Sequence, residues 1–256
     1  MRLRHILEGE SSSDDNEEDE ESTAAMEWKT SHLSSAIGKP QRTKRYKNIL
    51  MLSEWLLKIP NDFADNWILV LCPIGKRCLV VAAKGQTKAF ARNGYMIKCF
   101  ASRLPGGNRR DGRRYKDGCV LDCIFSEASK TFYVLDVIHW NDVSFYDSEA
   151  EFRFFWLTSK LNECPEISDI SDLNEYKFVC LNRHKCNLKS VETAVQEKRE
   201  FTEQIDGLLF FHKKSHYTPG VTPLVCWLKE NMIKDVFYTN EDKQQIATCG
   251  NDRMES

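Results

Sequence analysis

Cys180, His184 and Cys186 are the nearest this chain comes to a metal-ligand cluster. A structural zinc site takes its ligands from two closely spaced pairs, but the chain has no CxxC pair and no second half at ligand spacing. No metal site is therefore expected. Ten cysteines are present. Most lie inside apolar runs, with Cys72 in ILVLCP, Cys180 in KFVCL and Cys226 in LVCWL, where a reduced thiol behaves as a small hydrophobe. The charged chemistry lies elsewhere. Lys76 and Arg77 occupy a short turn, and the glycine-rich loop LPGGNRRDGRRYKDG (104–118) carries Arg109, Arg110, Arg113 and Arg114. Cations gathered this way read either as phosphate contacts or as solvated turn charges. Trp227, inside an apolar segment, reads either as a core aromatic or as a platform on which a base stacks.

The elements that must position these groups follow from periodicity. Ile49, Leu50, Leu52, Trp55 and Leu56 recur at helical spacing before Pro60, which predicts an amphipathic helix over 48–59. WILVLC (67–72) and RCLVVAA (77–83) flank PIGK and predict a hairpin. YMIKCF (95–100) is a further strand, and CVLDCIF and TFYVLDVIHW around SEASK predict a second hairpin over 119–140. Residues 149–162 have helical periodicity, with Phe152, Phe155, Trp156 and Leu161 on one side. KFVCL reads as a strand and 191–201 as a helix, followed by strands at 206–213, 222–229 and 232–238. Strands and helices mix without regular βαβ alternation, so the fold class is α+β with mostly antiparallel sheets and flanking helices.

Several short segments stand in the order of the nucleotidyltransferase superfamily of messenger-RNA capping enzymes and ligases, which the chain resembles. The nucleophile motif is matched by Cys72-Pro73-Ile74-Gly75-Lys76-Arg77, with Cys72 where the superfamily has its lysine and Ile74 where it has aspartate. Leu121-Asp122-Cys123-Ile124 matches a later motif without its glutamate, Phe132-Tyr133-Val134-Leu135-Asp136 and Asp206-Gly207-Leu208-Leu209-Phe210 match two others, and Cys226-Trp227-Leu228-Lys229 lacks its first lysine. A lysine adduct needs an amine that can be deprotonated, and phosphoryl transfer needs metal near the phosphates. Neither requirement has its residue here, so the resemblance implies a nucleotide-holding scaffold with no catalytic residues and no cofactor.

Longer segments resemble the snurportin family over residues 45–240 or so: LMLSEWLLKIP (50–60), CPIGKRCLVVA (72–82), LPGGNRR (104–110), FYDSEAEFRFFWLTSKL (145–161) and IDGLLFFHKKSHYTPGVTPLVCWL (205–228). The resemblance implies non-enzymatic binding of the 2,2,7-trimethylguanosine cap of spliceosomal small nuclear RNAs, by an adaptor that shuttles between cytoplasm and nucleus and imports the small nuclear ribonucleoproteins. It implies a stacking role for Trp227, pocket roles for Leu52, Ser53, Trp55 and Cys72, and triphosphate contacts for Lys76 and Arg77. Arg92 stands where the family has a lysine, exchanging a point charge for a planar fork. Importin beta and an export receptor are the implied protein partners. The chain, however, starts Met1-Arg2-Leu3-Arg4-His5-Ile6-Leu7 and turns acidic, which resembles only the tail end of an importin-binding segment. The alternative is a cap-binding fragment or interaction module that does not recruit importin beta. The arginines of the 104–118 loop are read as candidates for RNA beyond the cap.

The net charge of −2 conceals an uneven distribution: residues 8–21 carry nine Asp or Glu, and 39–47 carry five Lys or Arg. The expected organisation is an acidic-then-basic tail over 1–47, one domain over 48–240 and a polar tail over 241–256. No apolar run reaches membrane-spanning length and no secretory leader is expected, so no membrane partner is inferred.

Overall fold

A computed structural model describes residues 44–237. The segments read as importin-binding remnant, acidic run and C-terminal tail lie outside the described residues. Two sheets form the framework. The first has the order β1 (Met51–Trp55), β12 (Gly220–Leu228), β11 (Ile205–His212), β2 (Trp67–Pro73), β10 (His184–Lys185). The second runs β5 (Met96–Phe100), β4 (Gln86–Phe90), β3 (Lys76–Ala83), β6 (Cys119–Ser126), β7 (Thr131–Trp140), β8 (Val143–Ser144), with β9 (Lys177–Cys180) added to β7. All described pairings are antiparallel except β1 with β12 and β7 with β9. The α+β expectation holds. Helices are few: α1 (Phe63–Asn66), α2 (Ala150–Asn162), α3 (Leu188–Gln196) and α4 (Ile233–Phe237). None is long and apolar enough to cross a membrane.

The strongest strands in the sequence are the most deeply placed. Every residue of β6 and β7 is buried, as a near-continuous apolar run demands when both faces are covered. Phe100, Phe125, Phe132 and Phe178 stack in one of the two hydrophobic clusters. Burying such a ring contributes about 1.5–3 kcal/mol.

Five expectations are corrected. The 48–59 helix is instead a short lead-in and strand β1, paired in parallel with β12 from Met51↔Gly220 to Trp55↔Trp227. A helix of that length is marginal alone, and the free edge of β12 offers a hydrogen-bonded partner that wins. The PIGK hairpin is absent, because β2 pairs with β10 and β11 while β3 pairs with β4 and β6. The segment therefore crosses between sheets. Gly75 is required there, since a Cβ would sit 2.6 Å from Ile124 and 2.8 Å from the Phe125 carbonyl. The segment read as a strand over 232–238 is, in its described part, the end of a 3₁₀ turn and α4, whose Phe237 packs against Phe63 and Phe210.

The buried face of α2 carries Ala150, Arg153, Phe154, Leu157 and Leu161, leaving Phe152 and Phe155 exposed. Arg153 turns the helix: its guanidinium grips Asp136 on β7 through two bonds of 2.8 and 2.9 Å and donates to the Ser148 and Ser215 carbonyls. Apolar periodicity has no means of foreseeing a buried cation. Finally, α3 starts at Leu188, where the Asn187 side chain accepts the Ser190 amide, and stops at Gln196 rather than 201. At the N-terminal end of the described residues Lys44–Tyr46 forms a 3₁₀ turn, with Tyr46 stacked 4.1 Å from Phe90.

Candidate functional site

Gly207 shapes the candidate site. It lies in β11 opposite Cys72 of β2, and the Trp227 indole of β12 lies across it. A Cβ on Gly207 would meet Trp227 Cζ2 at 2.3 Å. Only a bare backbone lets an indole lie flat over the strand. Trp227 is half-buried by this seat, and its register partner on β1 is Trp55. Paired residues project from the same face of a sheet, so two tryptophans stand side by side at its edge. Trp55 is 52% exposed, and Val221 and Leu224 nearby are exposed apolar residues. Leu52 and Ser53 precede Trp55 on the same strand and are half-buried.

The rest of the site gathers at one end of the second sheet. The crossing segment is held by the Ile74 amide, which donates to the Gln204 carbonyl at 2.9 Å, and it delivers exposed Lys76 to the first position of β3. Antiparallel pairing of β3 with β4 ends at Leu79↔Phe90, so the turn after Phe90 brings exposed Arg92 to the same end. The Arg92 carbonyl accepts the Asn48 amide at 2.9 Å, joining this turn to the segment that enters β1. Lys76 and Arg92 thus share one end of the second sheet, while Leu52, Ser53 and Trp55 lie on β1 beside Trp227 of β12.

Arg77 has a different assignment from the one expected. Its Nε and Nη2 grip Asp122 at 3.1 and 2.9 Å, and Nη2 also donates to the Met51 carbonyl at 2.7 Å. The Tyr217 hydroxyl donates to the same carboxylate at 2.8 Å and accepts the Met51 amide at 3.2 Å. Burial works against the guanidinium's charge, but Asp122 outweighs it and raises the pKa further. Arg77 is therefore a strut that fixes both backbone groups of Met51 and with them the start of β1. It is not a loose cation.

Cys72 is corrected likewise. It is 1% exposed, and burial pushes its thiol up to about 12 despite the opposing pull of Arg77 and Arg183. Cys72 is thus an un-ionised, enclosed thiol. Asp122 and Asp136 are buried and bound by arginines.

Gly207, Asp122 and Tyr217 were given no site role from sequence, although the first two stand in quoted motifs. A glycine inside an otherwise apolar strand was the available signal for the first; the other two needed the sheets brought together.

These features define a class first. The chain is an α+β protein of two mostly antiparallel sheets, and nucleotidyltransferase-type ligase domains are among its structural neighbours. The ligase domain of M. tuberculosis LigD is similar at 14% identity and a TM-score of 0.47, covering 70% of this chain and 58% of that one. A mycobacterial DNA ligase D complexed with ATP and MES matches at 13% identity and 0.45, covering 71% and 60%. The chain thus spans about three-fifths of these ligase structures. The particular family follows from the sequence itself: residues 49–230 match the family model described as Snurportin1, m3G cap-binding domain, and the chain belongs to that family.

Proposed function

We propose that this chain binds the 2,2,7-trimethylguanosine cap of small nuclear RNAs and catalyses no nucleotidyl transfer. What carries the reading is the seating of Trp227 over Gly207 beside Trp55 at an open edge, in a chain of the cap-binding family. Methylation at N7 makes guanine cationic, and an indole face attracts a cation by about 0.5–2 kcal/mol. Stacking on the ring contributes about 1–3 kcal/mol per base. Lys76 and Arg92 supply charge for the triphosphate bridge. Two methyls on N2 remove both of its donors, so an apolar rather than a carboxylate-lined edge suits the trimethylated base.

The non-enzymatic reading is supported by the buried Cys72 thiol and by the two carboxylates already bound to arginine. By its family the adaptor role extends to nuclear import of the capped ribonucleoprotein, with importin beta and an export receptor as partners and shuttling between cytoplasm and nucleus.

Fluorescence titration tests the central statement. A trimethyl-cap dinucleotide quenches tryptophan emission at concentrations where GTP does not; equal quenching by both would refute the cap reading. Incubation with radiolabelled GTP or ATP and a divalent metal leaves no label on the denatured chain, and a labelled band would restore the enzyme. Replacing Lys76 by alanine lowers the salt slope of cap binding by about 0.7, and an unchanged slope removes it from the phosphate path.

A further inference from the structure

Opposite Lys76, β3 ends in a tight turn where Lys84 (φ 53°) and Gly85 (φ 78°) both take left-handed backbone. The loop between β5 and β6 folds back over this turn and is firmly held. Gly85 donates to the Gly106 carbonyl at 2.8 Å. Gly106 lies close enough to Ala83 and Gly118 that a Cβ would approach each Cα to 3.3 Å. Asn108 donates to the Leu173 carbonyl at 3.0 Å, and Arg110 to that of Asp172 at 2.8 Å. Arg113 is clamped by Asp111 at 2.7 Å and Glu166 at 3.0 Å. Of the loop's four arginines, two are thereby committed to holding it in place.

The other two face an opening. Arg109 lies across Gly85, where a Cβ would meet its Cγ at 2.0 Å. Arg109 and Arg114 are exposed, and among the described residues neither has a carboxylate within ion-pair distance. With Lys84, Arg113, Lys116 and Asp117 they line a cleft of about 890 Å³. Its one acidic wall residue, Asp117, faces His139 at 3.3 Å and accepts the Gly118 amide at 2.8 Å. A cleft this wide, with cations spread along it on a pinned loop, suits a chain of phosphates better than a single small anion.

We propose that this cleft takes the phosphodiester backbone of the RNA segment that follows the cap. The proposal rests on the cap-binding reading. The β3 strand separates the two places by roughly 23 Å at about 3.3 Å per residue, a span that a few nucleotides can cover. Arg109 and Arg114 are the contacting cations, and Arg110 and Arg113 hold the loop.

The experiment compares three probes on the full chain: trimethyl-cap dinucleotide, a trimethyl-capped RNA of about 12 nucleotides, within the length a single-strand groove accepts, and the same RNA without a cap. The variant is Arg109→Gln with Arg114→Gln, which keeps a side chain over Gly85. The unaltered chain binds the capped RNA more tightly and with a steeper salt slope than the dinucleotide. The variant loses roughly ten- to thirtyfold of the capped-RNA affinity at about 0.1 M salt, while its dinucleotide affinity stays the same and so reports an intact fold. Equal affinity of the unaltered chain for dinucleotide and capped RNA overturns the proposal, as does a variant that binds the capped RNA normally or loses both ligands alike. Displacement of the RNA by poly-glutamate of equal charge would point to an acidic protein instead and also overturns it. If the dinucleotide fails to bind but uncapped RNA binds and the variant weakens it, the cap reading falls and the cleft stands.

Discussion

Asp122 on β6 and Asp136 on β7 are register partners, both buried, and each is held by its own arginine. Carboxylates on facing positions repel, so neither aspartate is tolerable here without its cation. From that shared requirement the two pairs diverge. Arg153 is wholly enclosed and its remaining donors satisfy the Ser148 and Ser215 carbonyls, so its reach ends at α2 and the loop after β11. The Arg77 side chain is 24% exposed, and its spare donor, together with Tyr217, holds Met51. One pair locks the core. The other transmits its rigidity to the strand that carries Leu52, Ser53 and Trp55.

The comparison can be broken in order of expected effect. Arg153→Ala leaves a buried carboxylate unpaired and lowers stability by about 3–5 kcal/mol, read by urea unfolding; Arg153→Met with Asp136→Leu recovers most of the loss. If Arg153→Ala unfolds no more easily than the parent, the pair is not the lock described. Arg77→Ala lowers stability by a smaller ~2–3 kcal/mol because part of the group is solvated. Unlike the Arg153 change, it also weakens the trimethyl-cap dinucleotide in the still-folded protein, by releasing β1. A cap affinity unaffected by Arg77→Ala would deny the strut its influence on the site.

A sharper version concerns the seat of the indole. Trp227→Ala reduces cap affinity by about 1–3 kcal/mol with a native far-UV spectrum. Gly207→Ala, which adds only a methyl, produces a comparable loss by displacing the ring, and retained affinity in either variant would move the stacking platform elsewhere. The smallest effect lies away from both arginines. Glu203 accepts from Ser129 and Tyr133 at 2.6 and 2.7 Å. Burial opposes its charge, but these hydroxyls with Ser126 hold the carboxyl down to about 2, below its ordinary 4.5. Its contribution is therefore present above about pH 4.5 and is lost as pH falls towards 2. Glu203→Gln removes roughly 1 kcal/mol at neutral pH and flattens the stability profile in that acid window, whereas a profile unchanged there would separate Glu203 from acid unfolding.

How far the sequence reached is clearest at β7 and β1. TFYVLDVIHW is apolar enough to define a covered strand wherever it is placed, and it is one. LMLSEWLL has a helical hydrophobic period yet forms a strand, because the partner that captures its backbone, β12, lies some 170 residues later in the chain. The same limit applies at the site. Trp227, Lys76, Arg92 and the β1 residues are legible by motif, whereas the contact that occupies Arg77, with Asp122, crosses from β3 to β6 and is not.

What the amino-acid order determined by itself was local and compositional: which runs must be buried, that the sheets are mostly antiparallel, and which cations and aromatics stand in recognisable motifs. Tertiary structure alone decided which charges are free and which are spoken for. A guanidinium has the same chemistry in any segment; whether it meets water, a carboxylate or a ligand depends on what folding places within about 3 Å of it.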